Sequence, residues 1–221
     1  MDITKFAILK KLAGGGGGGG DHTTEDAIVS GTITDYTNDR VTSIRADAFR
    51  ECTSLTSADF PAVTSIGDNA FDYCTSLTSV NFPAATSMKD LVFKNCMKLP
   101  SANFPAMTSI GNFAFQSCFA LTSADLSAAT SIGIAAFDGC SKLTSLILRA
   151  TTQVCTLSGT NAFSKTPIAS GTGYIYVPAA LIDSYKTATN WTTYANQFRA
   201  LESYTVDGTT TGELDPTKVN A

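Results

Sequence analysis

The stretch that decides the architecture is Val63–Ala84, VTSIGDNAFDYCTSLTSVNFPA. It is one turn of a pattern that returns every 22 residues. Phenylalanine stands at Phe49, Phe71, Phe93, Phe115 and Phe137. Cys52, Cys74, Cys96, Cys118 and Cys140 keep the same step, as do Leu55, Leu77, Leu99, Leu121 and Leu143. A further apolar set follows at Ile44, Ile66, Met88, Ile110 and Ile132. Five units therefore run 41–62, 63–84, 85–106, 107–128 and 129–150, with no insertion before residue 150. A fixed period of roughly 20–50 residues marks stacked supersecondary units.

Within the quoted unit the repeating small or apolar positions are Val63, Ile66, Ala70, Phe71, Cys74, Leu77, Val80 and Phe82. Val80 in, Asn81 out and Phe82 in is strand spacing. Pro83 lacks the N–H a ladder needs and ends the strand. The apolar residues at 70, 71 and 74 have the spacing of one helical or 3₁₀ turn. One coil is thus expected to be a strand, a turn, a short extended piece over Thr64–Ile66 and a helical turn. A lone coil cannot bury these side chains; stacked coils cover one another. The fold class expected is an α/β-solenoid with a parallel sheet.

The run I-G-x-x-A-F-x-x-C-x-x-L-x-x-(V/A)-(D/N)-(F/L)-P, as in Ile66–Pro83, closely resembles the BspA-type (treponemal) leucine-rich repeat. The resemblance covers about residues 41–150 and continues in degenerate form through Asn161–Phe163 and Tyr174–Leu201. It implies a right-handed leucine-rich-repeat coil acting as a surface-exposed adhesion or host-protein-binding module, with no catalytic residues and no cofactor.

Five segments are expected: an N-terminal piece with a polyglycine linker (1–20), an N-terminal cap (21–40), five repeats (41–150), a degenerate repeat with a helical C-terminal cap (151–202), and a flexible tail (203–221). Ile28, Val29, Ile33 and Tyr36 suggest cap strands over 26–40. Beyond the repeats, Tyr174–Val177 reads as a last strand and Pro178 as the first position of a helix carrying Leu181, Tyr185 and Ala188 on one face. Asn190 is placed to cap a second helix aligning Trp191, Tyr194, Phe198 and Leu201, with Trp191 plugging the core.

Charged residues make up only 15% of the chain and the net charge is −4, which argues against nucleic acid as a partner. No apolar run approaches the ~18 residues of a membrane span. Met1–Ala13, whose longest apolar run is Phe6–Leu9, falls short of a secretory signal. The start, KFAILKKLAGGGGGGG, resembles N-termini of structural proteins of gut bacteriophages, which makes a virion component the alternative to a cell-surface protein. The seven glycines Gly14–Gly20 read as a flexible linker or as a segment packed in an assembly.

The sequence offers little to chemistry. No two cysteines are nearer than 15 residues, against the close C-x₂-C spacing that zinc sites use. Cysteines in one column point the same way, which suits buried free thiols better than disulfides. Cys155 lies off the column and is read as a sixth variant of it. The only histidine, His22, precedes the repeats, so no triad has a fixed base. The glycine run lacks the Lys-Ser/Thr of a phosphate loop.

What repeats on the surface is a pair of polar columns. Ser57, Ser79, Ser101, Ser123 and Ser145 form one; Asp59, Asn81, Asn103 and Asp125, followed by Ile147, form the other. Two readings are open: a solvated face whose side chains bond along the ladder, or a shallow polar strip for a protein or glycan on a host or neighbouring cell. The columns themselves carry no Trp, Tyr or Arg anchor, so useful binding is expected to need multivalent display or oligomerisation through the N-terminal segment. A second smooth set is Thr64-Ser65, Thr86-Ser87, Thr108-Ser109 and Thr130-Ser131.

Overall fold

Alternation within Ser79-Val80-Asn81 turns the middle side chain inward, and the equivalent triplets of successive coils lie side by side. In a computed structural model describing residues 35–37, 41–150, 152–201, 203–206 and 209–213, these triplets build the sheet face of a solenoid. Strands β1 (Asp35–Thr37), β3 (Ser57–Asp59) and β5 (Ser79–Asn81) form one parallel sheet. Strands β7 (Ser101–Asn103), β9 (Ser123–Asp125), β11 (Ser145–Ile147), β13 (Tyr174–Pro178) and β14 (Phe198–Leu201) form a second. A further wall is the six-stranded parallel sheet of β2 (Ser43–Ile44), β4 (Ser65–Ile66), β6 (Ser87–Met88), β8 (Ser109–Ile110), β10 (Ser131–Ile132) and β12 (Thr156–Leu157). Register is kept residue for residue, Ser65 opposite Ser87 and Ser87 opposite Ser109.

The segment expected to be a helical turn is not one. Each coil carries two left-handed residues four apart there: Asp47 and Glu51, Asn69 and Tyr73, Leu91 and Asn95, Phe113 and Ser117, Ala135 and Gly139. Positive φ interrupts helical continuation. Alternate N–H groups instead reach the next coil, as from Asn69 to Asp90, Phe71 to Val92 and Tyr73 to Lys94 at 2.9–3.0 Å. The intervening ones close tight turns, such as Asp72 N–H to Asn69 O at 3.0 Å. The turn is therefore a third inter-coil ladder.

Side-chain columns fill the interior. Phe49, Phe71, Phe93, Phe115, Phe137 and Phe163 stack with centroid spacings of 5.0, 5.2, 5.4, 5.2 and 5.5 Å. Phe60, Phe82 and Phe104 make a second column, continued by buried Leu126 and Leu148. The cysteines are free thiols. Those of the column also bond between coils: Cys74, Cys96, Cys118 and Cys140 donate to the carbonyls of Phe49, Phe71, Phe93 and Phe115 at 3.0–3.2 Å. Burial pushes the Cys74, Cys96 and Cys118 thiols well above their ordinary range. Gly111 permits close stacking, since a Cβ there would stand 2.1 Å from the Lys89 carbonyl oxygen.

The C-terminal end differs from the two helices expected. Pro178 closes strand β13; a 3₁₀ turn (Ala179–Leu181) and helix α2 (Ile182–Thr187) follow, the short α1 (Pro167–Ser170) having come earlier. Tyr185 is buried, and Leu181 and Ala188 pack against the core. The second helix is only a 3₁₀ segment (Thr192–Gln197), and Phe198 and Leu201 belong to β14. Asn190 does not cap it: its backbone is left-handed and its amide donates to Leu157 O at 2.6 Å. Trp191 does plug the core, 6.0 Å from Phe163, with its indole N–H donating to Cys155 O at 2.6 Å. Cys155 N–H in turn donates to the Tyr185 hydroxyl at 2.9 Å. Cys155 thus belongs to the cap, while buried Thr166 follows Phe163 by three residues, as each column cysteine follows its phenylalanine. In the tail, β15 (Ser203–Val206) and β16 (Thr209–Glu213) pair as an antiparallel hairpin where a flexible segment was expected. The polyglycine run and most of the N-terminal cap lie outside the described residues.

Candidate binding face

The two polar columns lie where the alternation puts them, but they are not uniform. Ser79, Asn81, Ser101 and Asn103 are exposed; Ser57, Asp59, Ser123 and Asp125 are half-buried. Asn81 donates its amide to Asp59 at 2.9 Å. Asp125 accepts from Ser127 at 2.6 Å and pairs with Arg149 at 3.1 Å. Part of the Asp/Asn column is therefore committed to inter-coil bonding. Ser145 does not belong to an exposed strip: it is 8% exposed, and among the described residues its Oγ has no hydrogen-bond partner. Its neighbour in register is Tyr174, a side chain large enough to cover it. Buried Ile147 stands likewise beside Tyr176.

The same register supplies the anchor that the columns lack. Tyr174 extends the serine column, and Tyr176 followed by Arg199 extends the Asx column. The Arg199 guanidinium lies 4.2 Å above the Tyr174 ring, and Tyr174 and Tyr176 meet edge-on at 6.5 Å. Arg199 Nη1 also donates to the carbonyls of Asn196 and Phe198 at 2.9 and 2.8 Å, so the exposed side chain is held in place. Burial raises the Tyr176 hydroxyl above its usual range and the nearby Arg199 charge lowers it in part. At neutral pH it is a neutral donor and acceptor. The signal was present in the sequence as YIYVP and FRA, but the lengthened spacing after residue 150 hid their register with the columns.

The second Thr/Ser set is structural in its threonines. Thr64, Thr86, Thr108, Thr130 and Thr156 each donate Oγ1 to the preceding coil's threonine carbonyl at 2.8–3.2 Å. Among the described residues no three His, Cys, Asp or Glu side chains are arranged to hold a metal ion. No described helix is long and apolar enough to cross a membrane.

A family model, the BspA type leucine rich repeat region, matches residues 64–175 in six copies, just over half of the 221 residues. The chain belongs to the BspA-type leucine-rich repeat family. This BspA-type solenoid is similar to a solved leucine rich repeat protein of T. pallidum at 28% identity and a TM-score of 0.50. The match covers 53% of this chain and 59% of the treponemal protein, so it spans little more than half of that relative's length. It is also similar in fold to the pneumococcal vaccine antigen PcpA, at 14% identity and a TM-score of 0.62, over 77% of this chain and 42% of that one. Among curated proteins none matches the sequence.

Proposed function

We propose that this BspA-type repeat protein is a non-enzymatic adhesion module of the extracellular or cell-surface space. It engages a protein or glycan partner through the sheet face, with its main contact at the C-terminal corner. The observation that carries the reading is the Tyr174–Tyr176–Arg199 cluster, set in register with polar columns of small side chains. Tyrosine and arginine are the side chains that dominate interface energetics, and an arginine already held by two carbonyls loses little freedom on binding. The exposed Asn81, Asn103, Ser79 and Ser101 supply a hydrogen-bonding surface leading up to that corner.

The test is a screen of the full chain against arrays of extracellular-matrix proteins and glycans, followed by titration of a retained ligand. Tyr176→Ala is expected to weaken binding by roughly ten- to thirty-fold, the cost of losing one interface hot spot. Met97→Ala, exposed at the end of the turn in the third coil, is expected to leave affinity unchanged. Loss with the turn-face variant and none with Tyr176→Ala contradicts the reading.

A further inference from the structure

Among the described residues the sheet face is interrupted once, between the second and third coils. Strand β5 ends the three-stranded sheet and β7 starts the five-stranded one, and no backbone hydrogen bond joins the two. The bonds that Phe60, Phe104 and Leu126 N–H make to Asn81, Asp125 and Ile147 carbonyls at 3.0–3.1 Å have no equivalent from Phe82 to Asn103. The cause lies in coil three. Its strand enters through Lys98-Leu99-Pro100, where the other coils have Thr56, Thr78, Thr122 and Thr144. A threonine there donates twice to the preceding coil, as Thr78 does to Thr56 O through N–H at 2.8 Å and Oγ1 at 3.1 Å. Pro100 has neither donor.

Three further observations mark the same place. Phe82 and Phe104 are 6.2 Å apart, against 5.6 Å for Phe60 and Phe82. Val80 is half-buried, whereas Ala58, Ala102, Ala124 and Leu146 at the same position in the other coils are fully buried. Asn81 bonds back to Asp59, but Asn103 makes no bond to Asn81. On the other walls the two coils stay joined, through β6 paired with both β4 and β8 and through the Phe71–Val92 bond at 2.9 Å.

We infer that Pro100 builds a hinge into the solenoid: a seam that opens on the sheet face about a spine formed by the six-stranded sheet and the turn ladder. Asp59 and Asn81 ride on one body; Asn103, Asp125 and the tyrosine–arginine corner ride on the other. The face thereby adapts its curvature between coils two and three. Backbone ladders elsewhere hold the remaining coils in fixed register.

Amide hydrogen exchange resolved by residue tests this directly. Phe82 N–H is expected to exchange at least ten-fold faster than Phe60, Phe104 and Leu126 N–H, which occupy the same position in other coils. Pro100→Thr restores both missing donors and should bring Phe82 within about three-fold of the others. Val80→Ala separates the proline from crowding by the larger side chain and should leave Phe82 fast. Equal protection of all four amides in the parent chain overturns the inference. So does a Pro100→Thr variant that folds, keeps Phe71 protected and still exchanges rapidly at Phe82, or a Val80→Ala variant that becomes protected there.

Discussion

Replacing Phe93 with alanine removes a ring that solvent does not reach and that four other rings surround. Phe71 and Phe115 stack on its two sides at 5.2 and 5.4 Å, inclined by 13° and 16°, and Phe82 and Phe104 approach at 6.2 and 5.7 Å. The loss combines the transfer free energy of a buried aromatic with a cavity. That cavity cannot collapse easily, because the turn ladder and the six-stranded sheet tie this coil to both neighbours; truncations of this kind cost about 3–5 kcal/mol. For a chain of this size that is a fall in Tm of roughly 6–20 °C. Equilibrium urea unfolding followed by far-ultraviolet circular dichroism reads the change as a lowered midpoint. Leu91→Ala, half-buried and at a left-handed position of the same coil, provides the local comparison. A loss under about 1 kcal/mol for Phe93→Ala refutes the continuous stacked column.

Alkali provides an independent test of the thiol column. Burial raises the folded-state values of Cys74, Cys96 and Cys118, and pushes Cys155 from 9.0 up to about 12. A raised folded value means that the folded chain holds protons the unfolded chain has released. Stability is therefore full below pH 9 and falls above it, by about 1.4 kcal/mol per pH unit for each such thiol; unfolding midpoints that do not move between pH 8 and 11 contradict this. In the folded protein at pH 8, iodoacetamide should label half-buried Cys52 ahead of the five buried cysteines, as read by mass spectrometry of the alkylated peptides. Gly111→Ala forces a methyl against the Lys89 carbonyl and should cost about 1–3 kcal/mol in the same unfolding assay.

The periodic part of the molecule was legible because stacking repeats one environment every 22 residues: the phenylalanine and leucine columns, and the cysteine column from Cys74 to Cys140, are buried where the spacing places them. The turn was misread as helical because Ala70, Phe71 and Cys74 have helical spacing, while Asn69 and Tyr73 adopt positive φ with little sequence signal at Tyr73. Phe198 was misread because Trp191, Tyr194, Phe198 and Leu201 also fit a helix; in the fold the last two add a strand beside β13. Of the candidate face, the exposed serines and asparagines followed from alternation alone. Burial of Ser145 and the tyrosine–arginine corner did not, because both depend on which residues follow β11 across a break in the period. The interruption at Pro100 was written in the sequence as a single departure from a threonine column, and its consequence required the ladder to be traced bond by bond.

The central functional claim is that partners are met on the sheet face. The most direct measurement is the affinity, by surface plasmon resonance on a ligand found in the array screen, of a sheet-face variant combining Asn103→Lys with Arg199→Ala. A turn-face variant combining exposed Met97→Lys with Lys94→Ala serves as its counterpart. The account predicts at least a thirty-fold loss for the first and less than a two-fold change for the second, with both unfolding as cooperatively as the parent chain. Binding that survives the sheet-face changes and fails with the turn-face changes contradicts it.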